Sequence, residues 1–282
     1  MQGIEVQIDS TETGWMISNY TIGFVHLSNS NGLEQAMPGG SGVLVSVGQV
    51  YGILTAAHVL ARLPHKGEIG LVDFLRAAKR VQKLKFDMHL TDRVSFPIAG
   101  WGPNGPDMGF LKLPPNAIEN LKMAKSFKNL DLARERALNP EAPTNQFYDS
   151  ILGVIGEKTT DVAPVRPDTR IRGFEARFQI GQITPINAID EMDRCLFVPK
   201  DQGDLAMPES FGGTSGGGIW RTYWKLDAEQ KPQVVEDRLC GIAYYESDKV
   251  GRSRIITCHG PKSIYLGMIK LIQERWPEAL QK

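Results

Sequence analysis

The sequence has few cysteines and no excess of charge of either sign. Its 282 residues include only three cysteines, and 32 basic side chains balance 32 acidic ones. The cysteines are odd in number and lack metal-ligand spacing, so we expect reduced, buried thiols rather than a disulfide framework at Cys195, Cys240 and Cys258. A neutral chain also lacks the basic surplus typical of nucleic-acid binders. We therefore expect neither a nucleic-acid partner nor a disulfide-dependent fold.

Apolar segments suited to a membrane are lacking too. Residues 1–14 have acidic side chains, no Lys or Arg and no apolar core, unlike a secretory signal peptide. Residues 35–61 contain no Asp, Glu, Lys or Arg, but Pro38, a glycine-rich run and several polar residues interrupt them. A membrane helix is therefore not expected there. Together with the reduced cysteines, these features predict a cytoplasmic protein that does not contact a membrane.

Glycine and proline, in contrast, are abundant, with 29 and 17 residues. Short β-like runs separated by turn residues fill two regions, about 14–113 and 146–265. Within residues 35–61 we predict two strands joined by a tight turn at Gly48–Gln49, with one apolar face formed by Val43, Val45 and Val47. Many short strands are typical of barrels or sandwiches, and the length suits one large domain or two small ones.

Two further segments are predicted to be helical. Residues 116–143 indicate one or two connecting helices that end before Pro140, with apolar side chains at three-residue spacing at Leu121, Ala124, Phe127 and Leu130. Residues 265–280 indicate a helix that docks on the second β region through one face, formed by Leu266, Ile269, Ile272 and Trp276. The polar segment 221–238 is interpreted as an exposed hairpin or loop.

Three short segments combine residues of catalytic type with apolar or glycine-rich flanks. They are LTAAHVL (54–60) with His58, GPDMGFLKL (105–113) with Asp107, and GGTSGGGIW (212–220) with Ser215. A serine hydroxyl needs an adjacent base, histidine has a suitable pKa, and a buried carboxylate fixes the imidazole tautomer. Glycines let a serine loop turn tightly and point N–H groups at a developing oxyanion. Asp87 and Asp92 are rival candidates for the acid, but neither opens an apolar strand.

These segments resemble the chymotrypsin/trypsin-like serine proteases. TAAHVL is similar to the family's T-A-A-H-C, DMGFLKL to D-[IL]-A-[LV]-[LI]-[KR]-[LV], and GGTSGGGIW to G-[DN]-S-G-G-P. The resemblance, which extends from about residue 20 to 260, implies an all-β, trypsin-like fold of two six-stranded Greek-key β-barrels. The implied units are an N-terminal barrel at 1–115 with His58 and Asp107, a helical interdomain linker at 116–145, a C-terminal barrel at 146–264 with Ser215, and a C-terminal helix at 265–282.

The resemblance also implies a serine endopeptidase that works through an acyl-enzyme. Ser215 would be the nucleophile, His58 the general base and then general acid, and Asp107 the residue that orients His58. The backbone N–H groups of Gly213 and Ser215 would form the oxyanion hole. A protein or peptide would be the substrate, and no cofactor or metal is implied.

Substrate-binding candidates follow from the same resemblance. CGIAYYES (240–247) resembles the edge strand that pairs with the substrate backbone, so candidate pocket residues are Tyr244, Tyr245 and Glu246. Glu209, six residues before Ser215, falls where the family often reads the side chain before the scissile bond. A buried acid there would favour Lys or Arg. A solvated loop acid is the alternative interpretation.

Departures from the family pattern indicate how the protein is controlled. Val59 replaces a cysteine that forms a disulfide in secreted animal members, and Gly218 replaces a proline. Thr214 replaces the acid that receives a newly cut N-terminus in secreted zymogens. These differences predict an intracellular, non-zymogen, bacterial-type relative that is regulated by a protein partner or a mobile loop.

Two other functions stay open at this point. One is a protease-like binding module that keeps the fold but does not cleave, and the other is a serine esterase on the same fold. The histidines outside the motif have no metal-like spacing and are assigned structural or surface roles, with His259 the best of them for substrate contact: His26, His65, His89 and His259.

Overall fold

The structure is a computed structural model, and strands are its dominant element. It describes residues 10–30, 33–74, 83–96, 102–158, 160–162, 171–189, 192–201, 208–247 and 254–281. Two curled sheets, one from each half of the chain, form the body of the protein.

The first sheet contains the strands β1 Thr21–Ser30, β2 Leu33–Val47, β3 Val50–Thr55, β4 Glu68–Asp73, β5 Lys83–Asp87, β6 Asp92–Ser95, β7 Gly109–Lys112 and β8 Lys128–Asn129. Seven of them pair antiparallel in the order β5-β4-β1-β2-β3-β7-β6, and β8 pairs in parallel with β2. The described strands number eight rather than the six predicted. The two additional strands arise because a short 3₁₀ turn at Met88–Leu90 separates β5 from β6, and because the connecting segment 116–143 contains β8.

The turn predicted between two strands at Gly48–Gln49 joins β2 and β3. The alternating valines of β2 lie in the core cluster shared by the two sheets, whereas Leu44 lies in the core of the first sheet. Gly48 has a φ of +51°, and a Cβ there would overlap the carbonyl of Ala279. Only glycine therefore allows the turn to lie against the C-terminal segment.

The second sheet contains the strands β9 Phe147–Val154, β12 Ala176–Ile189, β13 Met192–Pro199, β14 Gly218–Leu226, β15 Pro232–Glu246 and β16 Ile256–His259, and a separate ladder joins β10 Thr160–Val162 to β11 Ile171–Gly173. The six strands close into a barrel with the order β12-β13-β16-β15-β14-β9. The segment interpreted as an exposed hairpin is the β14–β15 hairpin, although Arg238 on it is buried. All three cysteines are free thiols, and Cys195 lies opposite Cys258 in the barrel.

Helices connect and close the two sheets. They are α1 Ser10–Ser18, α2 Ala57–Arg62, α3 Pro115–Lys122, α4 Leu130–Leu138, a π-helix Ser263–Met268 and α5 Ile269–Arg275, with 3₁₀ turns at Met88–Leu90, Gly156–Lys158 and Pro277–Leu280. Residues 15–18, which fell in a predicted β region, form the end of α1, where Ile17 enters the shared core. The connector holds two helices, and α4 ends before Pro140 as predicted.

The C-terminal segment contacts more of the molecule than predicted. Ile269, Ile272 and Trp276 are buried, but they pack in one cluster with Val43 and Phe110 of the first sheet as well as with the second barrel. The segment therefore docks on the second β region, as expected, and also covers part of the first sheet. The apolar surface under the C-terminal segment is continuous across both sheets because the valines of β2 lie in the core cluster shared with the second barrel.

This mostly β architecture, a curled half-barrel sheet beside a closed barrel, with a helical connector and a C-terminal helix, is consistent with the trypsin-like double-barrel fold. Among the residues that the structure describes, no helix has both the length and the apolar character needed to cross a bilayer.

Candidate active site

His58 lies in a short helix that begins directly after β3. The strand ends at Thr55 and α2 starts at Ala57, so His58 is in the first turn of the helix. Val59 and Leu60 are buried in the core of the first sheet and hold α2 against it. His58 itself is only 8 % exposed.

Asp107 reaches His58 because β3 pairs with β7. Thr55 lies opposite Gly109 in this antiparallel pair, so the residues after Thr55 and those before Gly109 leave the sheet at the same end. Asp107 accepts the backbone N–H of His58 on Oδ1 at 2.8 Å, and its Oδ2 lies 2.6 Å from the imidazole Nδ1. Both carboxylate oxygens are therefore directed at one residue.

This double contact determines which imidazole nitrogen bears the proton. A carboxylate only accepts hydrogen bonds, so Nδ1 of His58 carries the hydrogen and Nε2 is the nitrogen that can take up a proton. Asp107 is only 6 % exposed, so little water competes for the bond. The pair has the arrangement of a general base oriented by an acid.

The rival acids are engaged elsewhere. Asp87 accepts the backbone N–H of His89 and caps the 3₁₀ turn at Met88–Leu90. Asp92 lies 2.9 Å from the guanidinium of Arg275. Neither carboxylate is placed as Asp107 is.

The loop that carries Ser215 packs against the end of β3. The N–H of Ser41 donates to the carbonyl of Ser215 at 2.7 Å, and the Thr55 hydroxyl donates to the carbonyl of Ser41 at 2.6 Å. At Gly216, where φ is +86°, a Cβ would overlap both the Ser41 carbonyl and the Thr55 hydroxyl. The serine loop is thus held against the strand that ends three residues before His58.

Two backbone N–H groups at the serine, those of Gly213 and Ser215, have no acceptor among the residues that the structure describes. The carbonyl of Gly212 accepts the N–H of Gly156 at 2.7 Å, so the N–H of the same peptide, on Gly213, points away from Gly156. Among the described residues, neither Gly213 nor Ser215 donates its N–H to a protein acceptor. Gly213 has a φ of +94°, which favours glycine. Two unpaired donors beside a serine suit the stabilisation of an oxyanion.

Ser41 is a site residue that the sequence did not reveal. It is fully buried, its hydroxyl donates to the carbonyl of Gly213 at 2.8 Å, and the same oxygen accepts the N–H of Val154 at 2.8 Å. Through its N–H and hydroxyl, Ser41 holds the carbonyls on both sides of Thr214. The only signal in the sequence was a small polar residue between two glycines at the start of an apolar run.

Glu209 does not meet the condition set for a basic-specific pocket. Its side chain is exposed, and its backbone N–H donates to the carboxylate of Glu157 at 3.0 Å. The hypothesis of a preference for Lys or Arg required a buried acid at this position. The structure places a solvated loop acid there, which was the alternative interpretation.

Glu246 instead turns its carboxylate toward the serine loop. It accepts the Ser210 hydroxyl at 2.9 Å and the backbone N–H of Phe211 at 2.8 Å, and Arg254 lies 3.2 Å away. The end of β15 is therefore tied to the segment just before Gly212. The negative charge of Glu246 is already compensated by these partners.

The two tyrosines of the edge strand have different surroundings. Tyr244 is buried, and its hydroxyl donates to the carbonyl of Pro103 at 2.8 Å, so it lies against the segment that leads to Asp107. Burial raises the pKa of Tyr244 to about 12. Tyr245 is half-buried and packs on the core of the first sheet.

His259 is not at a surface where a substrate could touch it. It is 1 % exposed, and its Nε2 accepts the backbone N–H of Asp107 at 2.9 Å. Burial lowers the pKa of His259 to about 4, an effect that the carboxylate of Asp107 opposes and Arg194 reinforces. The expectation that His259 is suited to substrate contact is therefore wrong, because the ring is enclosed beneath Asp107.

Comparisons with known proteins found similarity to solved structures. No protein-family model and no curated protein matches the sequence. Among solved structures, a match is the HtrA-type protease AlgW, in a serine-to-alanine variant with a decapeptide, at 15 % identity and a TM-score of 0.48. The alignment covers 95 % of this chain and 67 % of that one.

Proposed function

We propose that this protein is a serine endopeptidase that acts through Ser215, His58 and Asp107. The observation that carries the proposal is the buried pair in which both oxygens of Asp107 bind His58, with the serine loop packed against the same strand end. The sequence motifs support the same assignment independently of the geometry.

In the proposed reaction, Nε2 of His58 takes the proton from the Ser215 hydroxyl as its oxygen attacks the peptide carbonyl. The N–H groups of Gly213 and Ser215 stabilise the tetrahedral oxyanion. His58 then protonates the leaving amine, and the acyl group stays on Ser215. A water molecule, activated by His58 in the same way, hydrolyses the acyl-enzyme and regenerates the serine.

We also propose that the protease is intracellular and not made as a zymogen. Thr214 has no charge with which to bind a newly cut N-terminus. The contacts of Ser41 and of Gly156 hold the oxyanion loop without such an ion pair. The free thiols and Val59 agree with a reducing compartment. Control by a protein partner would then act through the glycine-rich loop that Glu246 ties to β15.

Labelling with a fluorophosphonate probe tests the proposal. The wild-type protein should be labelled, Ser215→Ala should not, and Ser126→Ala, which changes an exposed serine of the connector, should be labelled like wild type. Wild type should then cleave a casein-type protein substrate. Labelling without proteolysis would favour the esterase, and an unlabelled wild type would favour a binding module without cleavage.

A further inference from the structure

A buried histidine of the second barrel binds the backbone of the acid in the first half. His259 ends β16, and its Nε2 accepts the N–H of Asp107 at 2.9 Å. The ring contacts the aromatic rings of Tyr244 and Phe96, with centroid distances of 4.8 and 6.0 Å, and is 1 % exposed. The imidazole is thus enclosed by its surroundings and bonded to Asp107 through Nε2.

The second nitrogen of His259 has its own partner. Its Nδ1 lies 3.3 Å from the hydroxyl oxygen of Ser263. That hydroxyl donates to the carbonyl of Asp193 and accepts the N–H of Asp193, each at 2.9 Å. Because the single hydroxyl proton is used on Asp193, the serine faces the ring with a lone pair, and Nδ1 must carry the hydrogen. This leaves Nε2 as an acceptor for Asp107.

Ser263 is itself firmly placed. It opens the π-helix Ser263–Met268, and the Asp193 carboxylate accepts the backbone N–H groups of Lys262 at 3.1 Å and Ser263 at 2.8 Å. Short π-helical turns occur frequently at functional sites. A continuous set of hydrogen bonds therefore runs from Asp193 through Ser263 and His259 to Asp107.

We propose that His259 is a positioning residue, whose neutral Nδ1–H tautomer holds the Asp107 backbone so that both carboxylate oxygens bind His58. This inference rests on the proposed function of the site. His259 does not touch the reacting atoms and acts through Asp107 alone.

Two matched substitutions separate this role from packing. His259→Gln can place an amide oxygen near the position of Nε2 and keep the hydrogen bond to Asp107. The side chain of His259→Asn is too short for this and keeps only the hydrogen bond toward Ser263. We expect His259→Asn to lower kcat about 10- to 100-fold, the range known for removal of the hydrogen-bond partner that orients a metal ligand, a comparable positioning role. KM should stay near the wild-type value, and His259→Gln should recover most of the kcat. Phe96→Leu, which loosens the packing of the ring but keeps the imidazole, should lower Tm without this loss of kcat.

A second readout does not require catalysis. The proton between His58 Nδ1 and Asp107 should give a strongly downfield NMR resonance in wild type and in His259→Gln, and a shifted or broadened one in His259→Asn. If folded His259→Asn keeps the wild-type resonance and kcat, or if His259→Gln is no better than His259→Asn, the inference is overturned. If the resonance responds as expected but Ser215 is not labelled by fluorophosphonate, His259 positions Asp107 and only the protease proposal fails.

Discussion

The His58–Asp107 pair and the Ser215 loop are held in place by different means. The pair depends on regular strand pairing, since Thr55 of β3 lies opposite Gly109 of β7. Ser215 lies outside the strands that the structure describes, and its loop is held by hydrogen bonds from Ser41 and Gly156 and by two backbone bonds that join Gly216 and Gly217 to Ala243 of β15. The difference shows that the fold fixes the base and its acid through strand register, whereas the nucleophile loop is placed by the Ser41 side chain, by glycines and by backbone bonds outside regular strand pairing.

The largest expected effect comes from breaking the His58–Asp107 pair, which the pairing of β3 with β7 positions. Asp107→Asn should lower kcat by about 10⁴-fold, because an amide can donate to Nδ1 and so favours the wrong tautomer of His58. The measurement is the rate of peptide hydrolysis and of fluorophosphonate labelling. Asp92→Asn, which removes the charge that binds Arg275 and alters the contacts with Trp276 and Arg93, does not touch His58 and should leave both rates close to wild type. Equal rates in wild type and Asp107→Asn would contradict the role of Asp107.

His259 links the pair to the second barrel and should make stability depend on pH. The pKa of His259 is about 4 in the folded protein against an ordinary value of 6.5. Between these values the unfolded chain binds more protons, so stability rises with pH and is lost on acidification from about pH 6.5 to 4, by up to about 3 kcal/mol. Urea unfolding of wild type and His259→Gln at several pH values measures this. Identical pH dependence in the two proteins would contradict the prediction.

Removal of the Ser41 hydroxyl should destabilise the loop that carries Ser215. Ser41→Ala removes the donor to Gly213 and the acceptor of Val154, and should cost about 1–3 kcal/mol of unfolding free energy because buried backbone groups lose their partner. It should also slow labelling of Ser215. Ser150→Ala is the matched control, since the Ser150 hydroxyl is buried and has no partner among the described residues. Denaturation and labelling rates that do not distinguish the two variants would show that Ser41 does not hold the loop.

The smallest effect is expected in the choice of substrate. Glu209 is exposed, and Glu246 is already bound by Ser210, Phe211 and Arg254. A peptide library should therefore show less than about a tenfold preference for Lys or Arg before the scissile bond, or about 1.4 kcal/mol. A stronger basic preference, lost in Glu246→Gln, would mean that this carboxylate binds substrate instead of tying the loop.

The sequence allowed the prediction of the parts of the fold that depend on local patterns. The alternating valines and the turn at Gly48–Gln49 predict β2 and β3, and the flanks of His58, Asp107 and Ser215 predict the candidate site. The three-residue spacing of apolar side chains in residues 116–143 was less informative about where helices end. The spacing continues from Leu121 to Leu130 across the break between α3 and α4. A spacing of three residues describes apolar positions but not where a helix stops.

Contacts between distant segments could not be predicted. Ser41 and Val154 are 113 positions apart, and Asp107 and His259 are 152 apart. Each contact depends on how the two sheets pack. From the sequence alone, a single serine or histidine has many possible hydrogen-bond partners. The docking of Trp276 on the first sheet was missed for the same reason.

The position of the C-terminal segment has a consequence for biosynthesis. Its apolar side chains complete the core around Val43, Val45 and Val47, and Ala279 lies against the turn at Gly48. During translation, the first sheet therefore leaves the ribosome with one face uncovered until these late residues emerge. His259 and its bond to Asp107 also become available only after the second barrel has been synthesised, so a shorter nascent chain would not have an assembled site.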